Sequence, residues 1–114
     1  MTTDPPGTVL NGGTYTVPVA LGNKSFHPYG DFSLHDLGTG DGIVQAGLAD
    51  TANKLRTVPL WGLRIKSRFM HDNASTTLGD AIRRHGGEAQ GVTAAFTALT
   101  AAQQQQLITF LKSL

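Results

Sequence analysis

Residues 55–87 read LRTVPLWGLRIKSRFMHDNASTTLGDAIRRHGG, and the last third of this stretch decides the fold. Thr77-x-x-Asp80 is a short-armed form of the Ser/Thr-x-x-Glu capping box, in which a hydroxyl satisfies a backbone amide of the first helical turn. Leu78, Ala81, Ile82 and His85 recur at helical spacing and share one face, while Asp80, Arg83 and Arg84 point the other way. Gly86-Gly87 closes the helix, because glycine readily takes the left-handed backbone of a helix C-terminus. The spacing predicts a helix over 77–85 with His85 on the apolar side of its end. An imidazole in that place is either a core histidine satisfied by hydrogen bonds or a ligand.

Downstream, residues 93–99 make a short Ala-rich helix, and Thr100-x-x-Gln103 is a clear capping box that opens a final helix over 101–113. Leu107, Ile108, Phe110, Leu111 and Leu114 form its apolar stripe. Upstream, Met1–Gly7 carries two prolines and is extended. The Asn11-Gly12-Gly13 turn signal between Val9-Leu10 and a β-leaning run ending at Val19 predicts a small hairpin over 9–19, with Pro18 at an edge. Residues 40–51 are a loop or one irregular helical turn. Asp31, His35, Asp36 and Asp41 are metal-ligand types, but their spacing matches no EF-hand or zinc pattern. The reading with the higher prior gives the carboxylates to turns and hydrogen-bonds His35 to backbone.

A length of 114 residues sets one domain, 1–114, as the ceiling. Only 15% of residues are charged and 14 are Gly, which fits a loop-rich domain wrapped round something. The net charge of +1 gives no case for nucleic acid or an acidic membrane surface. The sign is uneven, however: residues 54–84 hold seven Lys and Arg, while residues 1–50 hold five Asp and one Lys. That basic run either pairs with anionic groups or is a solvated face. No apolar run reaches membrane-spanning length, and the residues after Met1 do not form a signal peptide.

Several motifs in fixed order carry a resemblance. Arg56-Thr57-Val58-Pro59-Leu60, Phe69-Met70-His71-Asp72 and Thr77-Leu78-x-x-Ala81-Ile82 with its Gly pair resemble the C-terminal haem domain of bacterial di-haem cytochrome c peroxidases. Trp61-Gly62-Leu63 and the ending His85-Gly86-Gly87-Glu88-Ala89 are closer to the related di-haem oxidoreductase, or thiol oxidoreductase, family. The segment Tyr29–Gly38, with Asp31, Phe32, His35 and Asp36, is similar to one those families place upstream. The resemblance covers about residues 26–114. It implies a mainly α, cytochrome c-like haem-domain portion with the small hairpin before it, and a periplasmic location. It places His85 at the axial ligand of the haem iron, a role imidazole suits. It sets His71, whose other reading is a surface turn, near the haem as a supporting hydrogen-bond donor, and lays the Pro59–Trp61 segment along the porphyrin; the basic run that includes Arg56 either pairs with haem propionates or is a solvated face. Calcium, bound in the peroxidases by carbonyls matching Lys66–Arg68, is disfavoured by the basic residues there. Asn73 stands where the family has Gly, and Asn tolerates the left-handed turn better than most residues.

The chain has no cysteine, whereas a c-type haem is attached through Cys-x-x-Cys-His. The resemblance therefore reaches only the distal part of a haem domain. Two functions follow: a haem-binding electron-transfer or peroxidase-like domain with His85 as iron ligand, or a haem-free structural or protein-interaction module derived from it. A hydrolytic His/Asp metal site ranks last, for want of an H-x-x-x-H or paired-carboxylate spacing. Catalysis by this chain alone is not expected. The unmatched stripe on the last helix implies self-association, or a partner chain carrying the missing haem-attachment half, beside any redox partner protein.

Overall fold

A computed structural model describes residues 1–114. Strands β1 (Val9–Leu10) and β2 (Tyr15–Thr16) form the N-terminal hairpin, antiparallel with Val9 opposite Thr16 and Leu10 opposite Tyr15. The Asn11-Gly12-Gly13 turn that signalled it is a tight helical turn with Gly12 in left-handed backbone. A second two-stranded sheet pairs β3 (Leu34–Asp36) with β4 (Lys54–Arg56), antiparallel, with His35 opposite Leu55. Three helices follow: α1 (Leu78–Arg83), α2 (Gln90–Ala98) and α3 (Ala101–Leu111).

These elements correct the mainly α, cytochrome c-like expectation: with the short 3-10 turns and the isolated bridges counted in, the chain is only 33% helical and 14% strand, in short helices and two small sheets. The physical reason lies in how little of the backbone is periodic. Of 54 backbone–backbone hydrogen bonds, 31 belong to turns, loops and caps. The helix before His85 is only six residues long, ending at Arg83, too short to persist in water without tertiary contacts.

The capping signals were sound. Thr77 Oγ1 accepts from the Asp80 amide at 3.0 Å. Thr100 Oγ1 accepts from the Gln103 amide at 3.3 Å, and the Gln103 side chain accepts in return from the Thr100 amide at 3.0 Å. The glycine pair acts differently from expectation: α1 ends at Arg83, Arg84 caps it in right-handed backbone, and Gly86-Gly87 lies beyond.

The core is small. Eight of 114 residues are buried, and the apolar ones are Val17, Leu78, Ala81 and Phe96. Three of these sit where α1 packs on α2; Val17 lies apart, behind the hairpin. The radius of gyration is 17.4 Å, against about 13 Å for a compact chain of this length. The accessible surface is 7614 Å², against roughly 6000 Å² for a folded monomer of this mass. Val92 on α2 is 73% exposed and Phe110 on α3 is 43% exposed. No helix is long and apolar enough to cross a membrane.

Candidate functional site

The site is the end of α1 and what holds it. Leu78 and Ala81 are buried, Ile82 half-buried, and Asp80 and Arg83 exposed, as the helical face read from the sequence requires; the helix ends at Arg83, however, so His85 lies half-buried beyond it, and Arg84 is half-buried rather than pointing out. Arg83 lies over the Phe96 ring at 5.6 Å. His85 is fixed from three directions. Its amide donates to the Ile82 carbonyl at 3.2 Å, and its own carbonyl accepts from Thr93 Oγ1 on α2 at 2.6 Å. Its ring Nδ1 lies 2.7 Å from the Ala81 carbonyl. A carbonyl only accepts, so Nδ1 carries a proton; Nε2 has no protein partner, and in the neutral ring it keeps its lone pair. That is the tautomer a metal-bound imidazole uses, with the far nitrogen tied to a carbonyl.

Beyond His85 the chain is pressed onto β3. The Gly86 amide donates to the Leu37 carbonyl at 2.8 Å. Gly87 has φ +51°, and a methyl group there would fall on the Asp36 carbonyl oxygen. Only glycine permits that approach. Glu88 then reaches His35: Oε2 lies 2.8 Å from His35 Nδ1, and Oε1 accepts from the Asp36 amide at 3.1 Å. On the other side His35 Nε2 lies 2.8 Å from Asp31 Oδ2. Glu88 and then Asp31 raise the His35 pKa above its ordinary 6.5. Asp31 is brought down to about 2 by the Ser33 amide and then by His35. Glu88 is lowered by His35 and by the Asp36 amide.

A second tie joins the two histidine-bearing turns. Arg84 Nη1 and Nη2 meet Asp72 Oδ1 and Oδ2 at 3.2 and 2.5 Å, a bidentate pair, and Nη1 also donates to the buried Ser75 hydroxyl at 3.0 Å. Arg84 and the Ala74 amide hold the Asp72 carboxyl well below the usual carboxylate range. Asp72 follows His71 and Arg84 precedes His85, so this pair joins the turns on which the two histidines sit. Met70 and Asn73 both take positive φ in the His71 turn, and Asn73 thus serves where the resemblance expects Gly.

The other expected residues lie elsewhere. His71 is exposed and its ring makes no hydrogen bond within the chain. Trp61 is 49% exposed; its Nε1 donates to the His27 carbonyl at 2.9 Å, and its ring leans on Phe26. Pro59 is half-buried, and Arg56, at the end of β4, is exposed and makes no ion pair. No hydrogen bond joins Arg56, Pro59 or Trp61 to either histidine. A cavity of about 350 Å³ lies between Leu63, Phe69, Leu78 and Ile108, with Arg64, Lys66 and Lys112 also lining it.

The Glu88 partnership of His35 was not foreseen. The sequence reading gives His35 a backbone hydrogen bond and makes the glycine pair a helix stop; in the structure the His35 ring meets two carboxylates and the glycines are seated on β3 and the residue after it. No group of three or more His, Asp or Glu side chains is placed to hold a bare cation. Nothing therefore supports a cation at Asp31, His35, Asp36 and Asp41, and calcium at Lys66–Arg68 gains no support.

The comparison with known families gives the class. The family described as "Di-haem oxidoreductase, putative peroxidase" matches residues 2–114, and the chain belongs to it. No curated protein and no solved structure matches the chain significantly. Membership assigns it a redox role among peroxidase-like haem oxidoreductases.

Proposed function

We propose that this chain forms the distal side of a haem site in an electron-transferring or peroxide-reducing protein, with His85 the axial ligand. One observation carries the reading: the Nδ1 proton of His85 is committed to the Ala81 carbonyl, so Nε2 is free and of the right tautomer. The residues present fit the group in this one respect. Haem, when bound, supplies the one-electron chemistry; the chain presents the imidazole, fixes its tautomer and anchors the helix end. Arg56, free of any ion pair, is available to a propionate, and the exposed ring of His71 to a hydrogen bond at the site. Pro59 and Trp61 are the apolar surface for the porphyrin edge. Thioether attachment cannot come from these 114 residues, which contain no cysteine, so any such attachment lies outside them. The second reading, a haem-free interaction module, draws on the apolar surface left open on α2 and α3.

Haemin titration of the purified chain tests this, followed by the Soret band and the visible bands. Wild type is expected to bind and show the Soret and visible bands of an imidazole-ligated haem; His85→Ala should lose those bands and bind more weakly. Equal affinity and an identical spectrum in the variant would remove His85 from the iron. No Soret band in wild type would favour the interaction module.

A further inference from the structure

One imidazole in this chain has both ring nitrogens engaged by carboxylates. Asp31 and Glu88 each lie 2.8 Å from a nitrogen of His35. Ionised carboxylates only accept, and a neutral imidazole has one N–H to give, so satisfying both contacts requires the doubly protonated ring. Glu88 holds β3 at two points, through His35 and through the Asp36 amide. Between Glu88 and His85 stand only Gly86 and Gly87, and both are seated on the residues just after and at the end of that strand. A Glu88 that leaves β3 must carry the seated glycines, and with them the His85 end of α1.

We propose that His35 and Glu88 are positioning residues for His85: the imidazolium holds Glu88 against β3 and thereby fixes the helix end that presents Nε2. The proposal rests on the reading of His85 as an iron ligand. The charged groups around His35 are Asp31 before β3, Asp36 on β3, Glu88 after the glycine pair, and Lys54 on β4, which acts on Glu88 and is itself paired with Asp50 at 3.3 Å. The sign follows from the directions of shift. The folded pKa of His35 lies above 6.5, so its contribution is complete below 6.5 and lost as pH rises through the raised value. Glu88 lies below its ordinary 4.5, so its contribution is complete above 4.5 and lost as pH falls through the lowered value. The fastening is therefore strongest between those two ordinary values.

The test is amide hydrogen exchange at Gly86, whose N–H is bonded to the Leu37 carbonyl, measured against pH by NMR with the intrinsic exchange rate divided out. The His35 ring resonance is followed in the same samples. Wild type should lose protection at Gly86 by about fivefold, the factor one net hydrogen bond supplies, as pH rises through the His35 titration. Glu88→Ala should lack that protection at every pH. Glu88→Gln should flatten the profile rather than abolish the protection, because its amide can donate to a neutral His35 nitrogen; it carries the test if the alanine variant fails to fold. A wild-type profile flat across the His35 titration, or Gly86 protection unchanged in Glu88→Ala, would overturn the proposal. With haemin, Glu88→Ala should shift the visible bands toward the His85→Ala spectrum, and bands identical to wild type would also overturn it. Exchange needs no haem, so failure of wild type to bind haemin would reject the ligand reading without touching the fastening itself.

Discussion

Replacing Gly87 by alanine should be the most damaging of the glycine substitutions on the His85 segment. Two separate effects add. Gly87 has φ +51°, and a side chain in left-handed backbone costs about 1–2 kcal/mol. The new methyl would also overlap the Asp36 carbonyl oxygen and stand 3.0 Å from the Asp36 carbonyl carbon and 3.1 Å from the Gly38 nitrogen. All three are backbone atoms, so no rotamer change relieves the overlap; the segment has to lift. Lifting forfeits the Gly86–Leu37 hydrogen bond, about 1 kcal/mol. The total is about 2–3 kcal/mol, a large share of the roughly 5–15 kcal/mol available to a domain. Two controls separate the effects. Gly42 has φ +77° with nothing within 4 Å of an added methyl, so Gly42→Ala should show the backbone cost alone. At Gly86 a methyl would stand 3.4 Å from the Leu37 carbonyl and φ is −107°, so Gly86→Ala should be nearly silent. Urea denaturation followed by circular dichroism ranks the three, and exchange at Gly86 localises the loss. Gly87→Ala no worse than Gly42→Ala would refute the docking argument.

Two further outcomes follow from the burial pattern. Phe96 is 4% exposed and the largest of the four buried apolar side chains; Phe96→Ala should cost about 3–5 kcal/mol and abolish any cooperative thermal transition. A melt shifted by only a few degrees would show that the packing of α1 on α2 is not the core. The surface excess of roughly 1600 Å² over a compact monomer is about twice what one partner contributes to a standard interface. Sedimentation of the purified chain should therefore depend on concentration, or change on adding a haem-bearing partner. A compact, cooperatively melting monomer at every concentration and in every mixture would refute this.

Local signals were legible because they are local. The hydroxyl caps at Thr77 and Thr100, the turn at Asn11-Gly12-Gly13 and the apolar face of Leu78, Ala81 and Ile82 each depend on residues within a few positions of one another. The global fold was not legible, because it was carried over from haem domains in which an attached porphyrin and an N-terminal helix complete the core. Here neither stands within the 114 residues, and the chain settles into small sheets. Strands β3 and β4 escaped notice for a related reason: Leu34–Asp36 and Lys54–Arg56 are three residues each, with no hairpin turn between them and no run long enough to show alternation. At the site, the place of His85 between the Ala81-Ile82 face and the glycine pair is a local feature. Its Glu88–His35 support joins residues 53 positions apart, and nothing in local spacing announces a pairing across that distance.

The share of backbone hydrogen bonds made outside regular elements has a consequence for how such a chain can change over generations. In most domains the interior constrains substitution and the connecting segments drift. Here the order is inverted: few side chains are enclosed, and shape is held by the residues that bend the backbone. Asn11, Asn23 and Asn73 stand in left-handed turns, as do Tyr29, Phe32, Ala46 and Met70, which have no such leaning of their own. Apolar positions on α2 and α3 are free to exchange among themselves so long as something covers them. A single changed glycine or asparagine moves a whole segment, so descendants of this sequence should differ most in their hydrophobic residues and least in their punctuation.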